Sequence, residues 1–153
     1  MSAVLQPAAG FRPMRQDDLD LVMAIEPHIY SHPWTRGIFA DSLKAGYSCW
    51  VYELEGQFIG YAVMMLVLDE AHLLNISIAR DFQGCGMGRA LLNHLVDVAH
   101  HHGAATMFLE VRPSNLPARA LYESMGFNEF SVRKGYYPAE NGREDAILMG
   151  LSI

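Results

Sequence analysis

Two cysteines in 153 residues, Cys49 and Cys85, make no CxxC pair and no zinc-ligand set. Neither a disulfide framework nor a structural metal site is therefore expected to organise the chain. No apolar run approaches the roughly 18–20 residues that cross a bilayer, so no membrane association is expected. The opening MSAVLQPAAGF has no basic segment followed by a hydrophobic stretch, which argues against a secretory signal and for a cytosolic location. Basic residues are also scarce: 11 against 17 acids, a formal charge of −6. That speaks against the basic face by which a nucleic-acid binder displaces counterions. It suits a cationic acceptor, an amine or a basic peptide, and equally suits plain solubility. Repeats, low-complexity tracts and Pro/Ser-rich linkers are missing too. The expectation is one domain over residues 11–153 behind a loose leader, residues 1–10.

What is present reads as mixed elements. FRPM (11–14) suits a first strand, and Gln16–Asp17–Asp18 supplies capping and first-turn acids for a helix carrying Leu19, Leu21, Val22 and Ile25. HPWTRG (32–37) breaks that helix, and Thr35 caps a short second one through Phe39 and Leu43. Residues 48–55 and 57–69, parted by Glu55–Gly56, read as a hairpin, and AHLLNISIA (71–79) as a further strand. Leu91, Leu92, Leu95, Val96 and Ala99 lie at helical spacing within 88–102, and Gly103 ends that helix. A strand (105–111), a helix opened by Ser114 or Asn115 and stopped by Gly126, and two strands (127–137, 145–153) around the turn 138–143 complete the chain. This order predicts an α+β (mixed α/β) fold around one central sheet, not the repeated βα pattern of a dinucleotide-binding domain.

DFQGCGMGRAL (81–91) places three alternating glycines before a helix. A dinucleotide fingerprint requires GxGxxG and a Walker loop requires GxxxxGK[ST]; this segment is neither. What remains is their shared physics. Glycines let backbone N–H groups face a ligand, a helix N-terminus carries about half a positive charge, and Arg89 adds a full one. A pyrophosphate fits such a loop; a tight strand-to-helix turn needing positive φ is the other reading.

The pattern Gln83-Gly84-Cys85-Gly86-Met87-Gly88 resembles the Q/R-x-x-G-x-G/A signature of the GNAT superfamily of acetyl-CoA-dependent N-acetyltransferases. LLNISIA before it and FLEVRPSN and RALYESMGF after it follow the superfamily's order of elements. VLDEAHLLNISI, LEVRPSN, ALYESMGFNE and YYPAENGREDAILM resemble the bacterial branch that acetylates the N-terminal alanine of ribosomal proteins, from about residue 11 to the end. The resemblance implies a splayed mixed sheet that admits acetyl-CoA between its fourth and fifth strands. It implies that Ile76, Ser77 and Ile78 form the rail for the pantetheine arm, that Gly84, Cys85, Gly86, Met87, Gly88 and Arg89 wrap the pyrophosphate, and that Asn115 bonds the arm. It further implies the N-terminal segment of a ribosomal protein as acceptor, and no metal. Relatives often carry Arg-Gln where this chain has Gly84-Cys85, so backbone donation is what carries over there.

Acetyl transfer to an amine poses two proton problems. An α-amino group titrates near 7.7–8.0 and is mostly protonated at neutral pH, and the departing thiolate must be reprotonated. Glu110, in the otherwise apolar strand ATMFLEV, suits the base: poor solvation there would make its carboxylate a better proton acceptor. Strand alternation alone leaves open whether it faces inward or outward, and the resemblance implies the role. Tyr122 by composition is a packing residue, and by resemblance the acid that protonates the thiolate; a phenol titrating near 10 stays protonated at pH 7. A backbone N–H near Ile78 would polarise the thioester carbonyl. A covalent route through Cys85 is disfavoured, because the phosphate loop would hold it far from the acetyl group. Tyr136 and Tyr137 read by themselves as an exposed strand end, and the resemblance implies that their hairpin walls the acceptor channel; they and Trp34, a core or groove aromatic, are expected substrate contacts. His100–His102 point about 100° apart and make no joint metal site. A lysine or small-amine acetyltransferase and a non-catalytic acyl-CoA sensor are the rival readings.

Overall fold

The computed structural model describes residues 9–153; residues 1–8, most of the expected leader, lie outside the described residues. Seven strands and four helices follow in the order β1 (Ala9–Pro13), α1 (Leu19–Ile29), α2 (Arg36–Lys44), β2 (Ser48–Leu54), β3 (Gln57–Val67), β4 (Glu70–Ile78), α3 (Met87–His101), β5 (Thr106–Val111), α4 (Leu116–Ser124), β6 (Asn128–Ala139) and β7 (Gly142–Ser152). The sheet order is β1-β2-β3-β4-β5-β7-β6. β4 and β5 run parallel, whereas β1–β2, β2–β3, β5–β7 and β6–β7 are antiparallel. This is the mixed α+β sheet expected from the sequence.

The chain divides into two compact units. Of the described residues, the first holds 9–64 together with Asn75–Leu95. Its core joins Leu19 and Val22 of α1 and Phe39 of α2 to Val51, Tyr61 and Val63 of the strands. β3 is buried on both faces from Ile59 to Met64, which is why its apolar residues run on instead of alternating. Gly60 permits a close approach there: a Cβ would lie 2.7 Å from the Ser77 carbonyl oxygen.

The second unit holds Met65–Leu74 and Val96–Ile153. β5 alternates strictly, with Met107, Leu109 and Val111 buried and Thr106, Phe108 and Glu110 half-buried on the other face. The β4–β5 register runs from Glu70 opposite Thr106 to Leu73 opposite Leu109. Glu110 is the next residue of β5 and keeps its antiparallel partner Leu148 on β7.

Three local expectations need correction. The first strand spans Ala9–Pro13 instead of 11–14, because its register on β2 extends to Ala9 opposite Leu54. Gln16–Asp18 form a 3₁₀ turn ahead of α1, so the expected cap acts on that turn, where Asp18 closes a capping box with the Arg15 backbone, and not on α1 itself. Its carboxylate accepts two hydrogen bonds from Arg12 (2.7 and 2.8 Å) and one from Arg15 N–H (2.8 Å). The expected six-residue turn 138–143 is a tight reversal between Ala139 and Gly142, made possible by Gly142 at φ 114°.

Candidate active site

In the first unit, β4 runs through a 3₁₀ turn (Arg80–Phe82) into the glycine loop and α3. Gly84 and Gly86 have φ of 76° and 86°, where an L side chain is strained. No atom lies within 4 Å of a Cβ built on either, so the loop's backbone faces open space. The Gly86 carbonyl accepts a helical bond from Ala90 N–H (3.1 Å), so the loop leads directly into the first turn of α3. A glycine cradle over a helix N-terminus, with Arg89 on the first turn, fits an anion such as a pyrophosphate. Cys85 is exposed and its thiol donates to the Phe82 carbonyl (3.0 Å).

The end of β4 presents a directed backbone edge. Ala79 N–H bonds to Ile59 O on β3 (2.8 Å). By strand alternation, Ile76 and Ile78 therefore offer their N–H and C=O to the edge away from β3. Both carbonyls are already steadied by side chains: Tyr30 Oη donates to Ile76 O (2.9 Å) and Gln83 Nε2 to Ile78 O (2.9 Å). Each carbonyl keeps a second lone pair. Ser77 is buried and bonds to Asn75 (2.7 Å). Trp34, half-buried, packs on Phe39 with ring centroids 5.1 Å apart.

The second unit carries the side chains with chemistry. Glu110 lines a cavity of about 220 Å³ together with Glu70, His72, Phe108, Phe130 and Arg133. The orientation left open by alternation is thus toward this cavity. Tyr137 shares Glu110's surroundings: burial, then the Glu110 charge, push its phenol up to about 12, against the opposing pull of Arg112. The Arg112 guanidinium carbon stands 4.4 Å over the Tyr137 ring. Tyr122 is buried on α4, its ring 5.7 Å from that of Phe127. Asn115 caps α4 by accepting from Ala118 N–H (3.3 Å), which leaves its amide nitrogen as the donor it can offer a ligand.

The charged residues of GRED turn out to hold the tyrosines. β6 bulges between Arg133 and Tyr137, where Gly135 takes φ 58°. Gly135 N–H donates to Asp145 Oδ1 (2.9 Å), and Arg143 donates to the Gly135 and Tyr136 carbonyls (2.9 and 3.0 Å). Beside them Glu144 accepts from Ser114 N–H (2.9 Å) and Arg112 (3.2 Å), and Arg112 also donates to Pro138 O (2.9 Å). Ser114, then Arg112, hold the Glu144 carboxyl below the ordinary range. The hairpin is thereby pinned to the loop after β5. Sequence reading marked this segment as distinctive, yet missed Arg112, Arg143, Glu144 and Asp145, because their partners lie up to 32 residues away.

Elsewhere, His101 and His102 bond back to helix carbonyls at 2.7 and 2.9 Å and stand exposed. Among the described residues no group of three or more His, Cys, Asp or Glu is placed to hold a metal ion, and no helix is long and apolar enough to cross a membrane.

A strand that ends in a glycine turn and helix suited to an anion, followed by a strand bearing a cavity-lining carboxylate, matches the framework of an acyl-CoA transferase. The chain belongs to the acetyltransferase (GNAT) family, whose model matches residues 17–127. It is 46% identical over 136 residues to the [ribosomal protein bS18]-alanine N-acetyltransferase of Escherichia coli K12, covering 89% of this chain and 92% of that protein. The crystal structure of the ribosomal-protein-S18-alanine N-acetyltransferase from Escherichia coli superposes with a TM-score of 0.89 at 42% identity, over 95% of this chain and 94% of that one. The fold is also that of yncA from Salmonella typhimurium, solved with its cofactor acetyl-CoA, with a TM-score of 0.78 at 21% identity, over 95% of this chain and 94% of that one.

Proposed function

We propose that this protein, as one domain over residues 11–153, transfers acetyl from acetyl-CoA to the α-amino group of an N-terminal alanine on a small-subunit ribosomal protein in the cytosol. The observation that carries the reading is Glu110 on a cavity wall, beside the pinned Tyr137, in a chain 46% identical to an enzyme named for that acceptor. Gly84–Arg89 hold the pyrophosphate of the donor, and Ile76 and Ile78 with Asn115 its pantetheine arm, while the Ser77 backbone faces β3. Trp34, Tyr136 and Tyr137 meet the acceptor.

The proton balance assigns the remaining roles. An ammonium acceptor loses two protons on becoming an amide: one reaches solvent and the other ends on the coenzyme's sulfur. Glu110 takes the first and frees the nitrogen lone pair, which forms the new C–N bond at the thioester carbon. The Ile78 N–H stabilises the oxygen charge that develops. As the C–S bond breaks, the Tyr122 hydroxyl gives its proton to the sulfur and is reprotonated from the new amide's nitrogen. A covalent relay through Cys85 is unnecessary in this scheme.

The test is acetyl transfer to peptides that differ only at their first two residues and contain one internal lysine, read by mass spectrometry. Acetylation confined to the α-amino group, fastest on N-terminal alanine, is the expected result. Modification of the lysine with the N-terminus untouched would establish the side-chain reading instead, and tight donor binding with no product from any amine would point to an acyl-CoA sensor.

A further inference from the structure

The first unit buries a carboxylate that the chemistry above does not use. Glu26, in the last turns of α1, is 1% exposed. Its Oε1 accepts from Tyr61 Oη (2.6 Å) and Asn75 Nδ2 (3.3 Å), and its Oε2 from Trp34 N–H (2.9 Å). All three donors are neutral. The network continues from Asn75, whose Oδ1 accepts from Ser77 Oγ (2.7 Å). Ser77 Oγ lies 2.8 Å from Tyr30 Oη, the same hydroxyl that donates to Ile76 O. Tyr30 N–H returns to the Glu26 carbonyl (3.3 Å), closing a ring through the end of α1.

A buried carboxyl group is a poor source of stability, since an apolar residue of like volume usually serves as well. What this one does is geometric. One oxygen fixes the backbone at Trp34, in the segment 30–35 between α1 and α2. The other, through Asn75, Ser77 and Tyr30, fixes Ile76 and Ser77. Tyr30 Oη donates to Ile76 O and shares a second bond with Ser77 Oγ, in which either hydroxyl can be the donor, so it ties the Ile76 carbonyl to the Ser77 side chain. We propose that Glu26 is a positioning residue, which sets the Trp34 segment against the Ile76–Ser77 edge so that the acceptor and donor sites are shaped together. The proposal rests on the reading that Trp34 meets the acceptor and Ile76 and Ile78 meet the donor.

Glu26→Gln keeps the shape but replaces one accepting oxygen by an NH₂ group. The expected result is a rise of about tenfold in peptide KM and a severalfold weaker acetyl-CoA Kd by calorimetry, with kcat at saturation within about threefold. Tyr30→Phe, which cuts only the Ile76 and Ser77 link, is expected to weaken acetyl-CoA and to be less than additive with Glu26→Gln. A lowered melting temperature with both constants at parental values would make Glu26 purely structural and overturn the proposal. If Glu26→Gln does not fold, Tyr61→Phe removes one donor at nearly constant volume; a raised peptide KM supports the proposal and an unchanged one overturns it. Trp34→Ala separates the two layers. A parental peptide KM there refutes the site assignment itself, whereas a raised one beside an inert Glu26→Gln refutes only the coupling.

Discussion

The two units solve different chemical problems with different parts of the chain. In the first, the groups proposed to meet the donor are backbone: positive-φ glycines, the start of α3 and the strand edge at Ile76 and Ile78. Side chains such as Tyr30 and Gln83 serve to steady that backbone. In the second, the groups facing the cavity are side chains, Glu110 and Arg133 among them, and backbone distortion serves the side chains: the Gly135 bulge is held by Arg143 and Asp145 beside the tyrosines. Backbone donors suit a cofactor that is the same in every turnover. Positioned side chains suit a reaction whose charges move.

Substitutions should therefore separate donor binding from turnover. The largest effect is expected at Tyr122→Phe, which removes one hydroxyl from a buried helix position; kcat should fall by about 10²–10⁴-fold with acetyl-CoA Kd little changed. Stopped-flow turnover beside calorimetry reads both, and equal loss in the two would break the division.

Next comes Gly86→Ala. Open space around its Cβ means no clash, so the cost is conformational, about 1–2 kcal/mol of left-handed strain. Relief of that strain by a shifted loop should weaken acetyl-CoA roughly tenfold, while leaving kcat at saturating donor near the parental value. A parental Kd would show that the loop is only a turn.

Glu144→Gln tests the other side. It loosens the hairpin from Ser114 and Arg112, and is expected to raise peptide KM about fivefold at unchanged acetyl-CoA affinity.

The smallest catalytic effect, none, is expected at Asp18→Asn, distant in role from both sites. Arg12 holds the Asp18 carboxyl below its ordinary range, so the unfolded chain binds that proton more readily than the folded one. The stabilisation is therefore present above about pH 4, the unfolded value, and is lost as pH falls through the folded value. Urea titrations should find the variant about 2 kcal/mol less stable at pH 7, with the gap closing in acid.

How legible each half was in the sequence follows from the same contrast. The glycine loop could be read locally, because positive φ and a helix start leave their mark in adjacent residues. Its rail edge could not, since which carbonyls face away from β3 depends on one hydrogen bond from Ala79 to Ile59. Glu110 stands out in an apolar strand, but only the resemblance gave it a role, and its direction follows from the parity of β5. Glu26 and Glu144 were invisible as partners of Trp34, Asn75 and Ser114. A buried carboxylate and a solvated one look alike until the chain brings the donors together. Asp18 was legible in part: its cap on the turn ahead of α1 is local, whereas its pairing with Arg12, six residues earlier, is not written in the capping pattern.

The most direct test of the division between a donor-holding backbone and a reacting side chain is acetyl-CoA titrated calorimetrically into the Glu110→Gln protein, beside its rate of peptide acetylation. The account predicts a Kd within about threefold of the parent while turnover falls at least about a hundredfold. Parental turnover, or donor binding weakened in step with the rate, would contradict it.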